Sequence, residues 1–151
     1  MNKREVLATL QMILNEVHTA VLATADREGR PHLRWMTPAL IAGREGTIFA
    51  VTSPGFEKVR HLEVHPEVEW LFQTPLLDTI VTVRGRMNVV DNPSILAEVL
   101  EALGPHMHSF WRLKGEERDL RVLETVISEA VCYWPLRGRK EAVMELSLIH
   151  I

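Results

Sequence analysis

The chain lacks most of the features that announce a mechanism. It carries a single cysteine, Cys132, which excludes an internal disulfide and a cysteine zinc cluster and gives no sign of an oxidising compartment. Its formal net charge is −3, so no broad electrostatic pull toward nucleic acid is expected. No apolar stretch approaches the ~20 residues needed to span a bilayer. The opening Met1-Asn2-Lys3-Arg4-Glu5 leads into an amphipathic pattern, not the apolar run of a signal peptide. The expectation is a cytoplasmic protein with no nucleic-acid or membrane partner. Neither a Ser–His–Asp order nor paired carboxylates stand out, so no side-chain acid or base can be named for hydrolysis. Any chemistry would be carried by a cofactor.

What is present is ordinary for a soluble globular protein: 46% apolar and 25% charged residues over 151 positions, enough for one domain with a real core and too little for two comfortable ones. We place that domain at residues 1–145. The last six residues, Leu146-Ser147-Leu148-Ile149-His150-Ile151, resemble translated sequencing-adapter read-through more than a native ending and are left out of the fold.

Residues 4–17 put Val6, Leu10, Ile13 and Val17 on one face, the spacing of a helix. Residues 19–24 read as a strand, and Asp26-Arg27-Glu28-Gly29 as a hairpin turn. A second strand is expected over 32–42, with Arg34 and Met36 on one face and Leu33, Trp35, Thr37 and Ala39 on the other. Pro38 inside it requires an edge or a bulge. Residues 43–46 form another turn, and the three strands are expected to make an antiparallel meander. Further strands are expected at 68–72, 79–90 and 121–134, with a bulge or corner at Gly85 and a break at Ser128-Glu129. A helix is expected after Asn92-Pro93, ending at Gly104. Residues 106–119 read as irregular. The fold class is α+β: a small antiparallel barrel of about six strands with two to three flanking helices.

Residues 47–58 hold the strongest local signal. Thr47 to Thr52 is β-branched and apolar, Ser53 is an N-cap, Pro54 suits the first helical position, and Gly55 allows close approach to the backbone. The N–H groups of that helix end, the hydroxyls of Thr52 and Ser53, and the Lys58 ammonium can converge on one anion, a terminal phosphate above all. The same residues also describe a plain capped helix with a solvated lysine. His61 and His65 share a helix face, but Glu63 is misplaced for a zinc-protease motif, and no metal site is expected. Trp35, Trp70, Trp111 and Trp134 are first of all core or interface candidates.

The order Gly29-Arg30-Pro31-His32-Leu33-Arg34-Trp35-Met36, then Phe49-Ala50-Val51-Thr52 with Lys58 six residues on, then Val83-Arg84-Gly85-Arg86, resembles the pyridoxamine 5′-phosphate oxidase-like, FMN-binding split β-barrel family, and within it the short general-stress-protein type. The resemblance implies a homodimer with FMN at the subunit interface. Arg34, Trp35, Met36 and Thr37 would line the cofactor, with Arg34 near the phosphate. Val51, Thr52 and Ser53 would add backbone and hydroxyl contacts, Lys58 would hold the phosphate, and Trp134 would reach the partner's site. It also implies an oxidoreductase acting on a small molecule. Two departures argue against pyridoxamine phosphate as that substrate: Glu57 stands where such oxidases carry a further basic residue, and residues 135–141 lack their Arg-x-His-Asp-Arg run. The alternatives are a flavin-binding stress protein without turnover, or a split barrel holding deazaflavin F420 or haem.

Overall fold

A computed structural model describes residues 1–53, 57–104 and 120–144, with backbone only for Glu57, Lys58, Val59 and Met144. The expectations for Pro54 to Phe56, for 106–119, for Trp111 and for the 146–151 tail lie outside the described residues.

The first helix, α1 (Lys3–Val17), starts where the Asn2 side chain accepts from the Glu5 N–H at 2.9 Å, satisfying a donor that the helix itself cannot. Its buried residues Val6, Leu10, Ile13 and Leu14 follow the predicted stripe and enter the inner core. β1 (Ala20–Ala25) and β2 (Pro31–Met36) form the expected hairpin. Gly29 adopts φ +82 in its turn, a conformation that a Cβ would strain.

Here the structure corrects the meander. β3 (Thr47–Thr52) does not continue from β2. It pairs antiparallel with β6 (Arg121–Trp134) at the other end of the sheet. The order is β2-β1-β4-β5-β6-β3, with β4 (Glu67–Gln73) and β5 (Ile80–Val90) between, and β7 (Arg139–Met144) also paired to β6. The physical reason lies at Pro38. Without an N–H it cannot extend the β1 ladder, which stops at Met36, short of the expected Ala42. Beyond it the chain makes only an isolated bridge to β3, with Ala39 N donating to the Phe49 carbonyl at 2.7 Å and Phe49 N donating back at 2.9 Å. The seven-stranded antiparallel sheet is therefore curled but not closed, a split barrel in an α+β fold.

α2 (Glu57–Val64) sits against β1 and β5, and α3 (Pro93–Leu103) against β3 and β6. α3 starts as expected, with Asn92 Oδ1 accepting from the Ser94 and Ile95 N–H groups. Two cores result. The inner one holds α1, Leu22, Trp70, Phe72, Met87 and Ile127; the outer one packs Val99 and Leu103 of α3 on Phe49, Val51 and Val122. Trp70 is fully buried yet satisfied, its Nε1–H donating to Thr125 Oγ1 at 3.0 Å.

The expected break at Ser128 is a bulge within a continuous strand. The β5–β6 register shifts between Arg84 and Gly85, leaving Ser128 unpaired in the ladder, and its hydroxyl donates to the Arg84 carbonyl at 3.1 Å. β7, which the basic run at 137–140 disguised, is the strand that sequence patterning did not find.

A Cβ on Gly85 would collide with the Val126 carbonyl oxygen and lie 2.8 Å from Thr125 Cγ2. Both belong to the paired strand and cannot swing away. Gly85→Ala is expected to destabilise the fold by roughly 1–3 kcal/mol, the usual cost of overpacking. Urea denaturation reads it, and an unchanged midpoint would contradict the bulge packing.

Candidate functional site

The split has two walls. One is the end of β2, which among the described residues meets no strand on the side away from β1. The other is the end of β3. Continuing the register of the Ala39–Phe49 bridge leads Val51 and Thr52 back alongside Thr37 and Met36, with no ladder between them. The Ala39–Phe49 bridge thus joins the segment that follows 34–37 to the strand that leads into 51–53, the two stretches predicted as ligand-lining.

Their side chains divide the labour. Arg34 is half-buried on β2, with its Nη1 closed off from solvent. Trp35 points the other way and is 64% exposed. Met36 belongs to the inner core and Val51 to the outer one, so each can offer a ligand only backbone groups. Thr52 is buried, its hydroxyl donating to the Ser53 carbonyl at 3.4 Å, and Ser53 is half-buried. Thr37 lines a 140 Å³ cavity with Gln11, Asn15 and His18. The backbone of Lys58 lies in the first turn of α2; its side chain is outside the described residues.

Trp134 is not brought into this group. It packs half-buried at the far end of β6, with the Arg139 guanidinium 5.4 Å from its ring centroid. Val122, the partner of Val51, lies twelve residues back along the same strand, up to about 40 Å of extended chain.

Sequence reasoning missed a cluster beside Arg34. His32 shares its face of β2. Asp26 Oδ2 lies 2.9 Å from His32 Nε2, while Asp26 Oδ1 accepts from the Glu28 and Arg30 N–H groups at 3.0 and 2.9 Å. The His32 hydrogen bond, then that of the Arg30 N–H, holds the Asp26 carboxyl down at about 2. The His32 ring lies 4.7 Å from that of His61, which is buried in α2 with Nδ1 2.9 Å from Thr24 Oγ1. The alternation of β2 already placed His32 beside Arg34; its partners became visible only in the fold. Cys132 is buried, and that burial pushes its thiol up to about 11, the state of an unreactive core cysteine. Among the described residues no cluster of three or more His, Cys, Asp or Glu could hold a metal ion, and no helix is long and apolar enough to cross a membrane.

Comparison with known families decides the identity of the fold. Residues 6–130 match the family described as pyridoxamine 5′-phosphate oxidase. The chain belongs to that family. A curated relative, the pyridoxine/pyridoxamine 5′-phosphate oxidase of Pseudomonas entomophila (strain L48), is 33% identical over 75 residues, covering 50% of this chain and 34% of the relative. The match thus spans about a third of that relative's length. Among solved structures, a Clostridium acetobutylicum protein related to general stress protein 26, of the pyridoxinephosphate oxidase family, is 12% identical with a TM-score of 0.72, covering 95% of this chain and 96% of that one. A haem-binding protein from Mycobacterium smegmatis is 19% identical with a TM-score of 0.70, covering 91% of this chain and 57% of that one. Both share the fold.

Proposed function

We propose that this member of the pyridoxamine 5′-phosphate oxidase family binds FMN across the split between β2 and β3 and works as an oxidoreductase on a small molecule other than pyridoxamine phosphate. The observation that carries the proposal is the half-buried Arg34 on the edge strand β2, just ahead of the bridge that joins this segment to β3, with His32 of the same face lying against His61 of α2. A phosphate ester suits that corner: a fork of N–H donors from Arg34, backbone N–H groups at the strand ends and the start of α2, and the Lys58 ammonium. The residues fit the group. When bound, the flavin supplies hydride or electron transfer; the chain's part is to grip the phosphate, hold the ring at the split and leave one face open to a substrate.

A vitamin B6 substrate is disfavoured. The segment after Trp134 is tied into β7, where Arg139 is spent on Glu141 at 2.8 Å and on the Trp134 ring. That guanidinium holds the Glu141 carboxyl below its ordinary range.

We further propose that the protein is a homodimer. The registers align Trp35, Val21, Leu71, Thr82, Val131 and Ala142 as one uncharged row across the outer face of six strands. Glu69 beside Arg84, at 3.5 Å, flanks it on one side. A second copy laid on this row would cover Trp35 and bring its own Trp134 toward the cleft.

A haem reading draws on the structural neighbour that binds haem. The visible spectrum of the purified protein separates the readings: twin flavin bands are expected, a Soret band would replace flavin by haem, and a colourless protein leaves F420 or no ligand. Oxidation of NADH or NADPH under air then divides an enzyme from a binder.

A charge-assisted hydrogen bond contributes ~1.5–3 kcal/mol. Arg34→Ala and Lys58→Ala are therefore each expected to weaken FMN binding by roughly ten- to a hundredfold while sparing riboflavin, which lacks the phosphate. Titration of flavin fluorescence measures both; equal FMN affinity in all three proteins would remove the phosphate from this corner. Leu71→Arg is expected to convert a dimer into a monomer in sedimentation equilibrium, and a wild-type monomer would end the dimer proposal.

A further inference from the structure

We infer that His32, braced by Asp26, is a further ligand for the phosphate group at this cleft, one that grips only when its imidazole is protonated. The inference rests on the phosphate-binding reading of the cleft given above. His32 and Arg34 are successive residues on one face of β2, roughly 6.5 Å apart along the strand, so both can reach one phosphate ester.

The ring of His32 is held on two sides. Its Nε2 meets Asp26 Oδ2 at 2.9 Å, and its face lies on His61 at 4.7 Å between centroids and 43° between planes. The Asp26 carboxylate accepts the Nε2–H, which leaves Nδ1 as the hydrogen-bonding atom that a ligand can meet. In the neutral ring that atom is a bare acceptor and opposes a phosphate oxygen. In the imidazolium it carries a proton and donates to one. The side chain of His32 is 39% exposed, so solvent protons and a ligand can both reach it.

Among the described residues, three elements place charged or titratable groups beside it. The β1–β2 turn contributes Asp26, β2 contributes Arg34, and α2 contributes His61; β1 presents the uncharged Thr24. Glu57 and Lys58 of α2 have side chains outside the described residues. A bound phosphate, lying between Arg34 and His32, is met by a His32 donor only from the imidazolium. Linkage then requires that the His32 contribution to phosphate binding grow as pH falls through the range where imidazoles titrate.

The test titrates FMN and riboflavin against the wild-type protein and His32→Gln at pH 6 and pH 8. His32→Tyr is a second variant, which keeps an aromatic ring against His61 and guards against a folding defect. The phosphate's own ionisation cancels in the ratio of wild type to variant at each pH. We expect FMN affinity to drop about tenfold at pH 6 and less than about twofold at pH 8 in both variants, with riboflavin unaffected. Equal FMN affinity in wild type and variants at both pH values would overturn the role of His32 and leave the FMN site standing. Equal losses for FMN and riboflavin would make His32 a structural residue and overturn it too. Failure of the wild-type protein to bind FMN at either pH would overturn this inference together with the reading beneath it.

Discussion

The missing N–H of one proline sets the form of this molecule. Before Pro38 the chain pairs with β1; after it, Ala39 touches β3. In the β1–β2 register position 38 would face His18, the left-handed cap of α1, so the ladder ends where both segments turn away. β2 therefore ends at Met36 with an unpaired edge, and β3 finds its ladder on β6.

The corner also explains how a small barrel can keep polar groups near its core. α1 and α2 lie against the sheet and bury apolar side chains such as Leu10 and Leu62, while Thr24, Thr52 and Thr125 lie among the buried residues with hydroxyls engaged. The His61–Thr24 contact and the His32–His61 stack tie α2 to the β1–β2 hairpin. The hairpin turn in turn fixes Asp26 through its own backbone. Local turn chemistry thereby reaches the cleft through three short contacts.

The legible parts of the sequence were those whose physics is local. The stripe Val6–Leu10–Ile13, the Asn92-Pro93 cap, the turn at Gly29 and the bulge beside Gly85 each depend on neighbours a few residues away, and each was found where expected. Strand pairing is not local. Alternation told which face of β2 carries Arg34 but could not say that β3 would leave β2 for β6. β7 was hidden because Arg139, Lys140 and Glu141 mask its alternation, and its pairing with β6 is what makes it a strand. The residues 34–37 and 51–53 were singled out through their resemblance to a family; the Asp26–His32–His61 cluster was not, since its members come from a turn, a strand and a helix.

The most direct test of this account is a crystal structure of the protein grown with FMN. The account predicts the phosphate group between the 34–37 and 51–53 stretches, within hydrogen-bonding distance of Arg34. A flavin seated instead in the 280 Å³ groove between α1 and the 40–47 segment, lined by Leu7, Gln11 and Arg44, would contradict it, as would a phosphate turned away from the split.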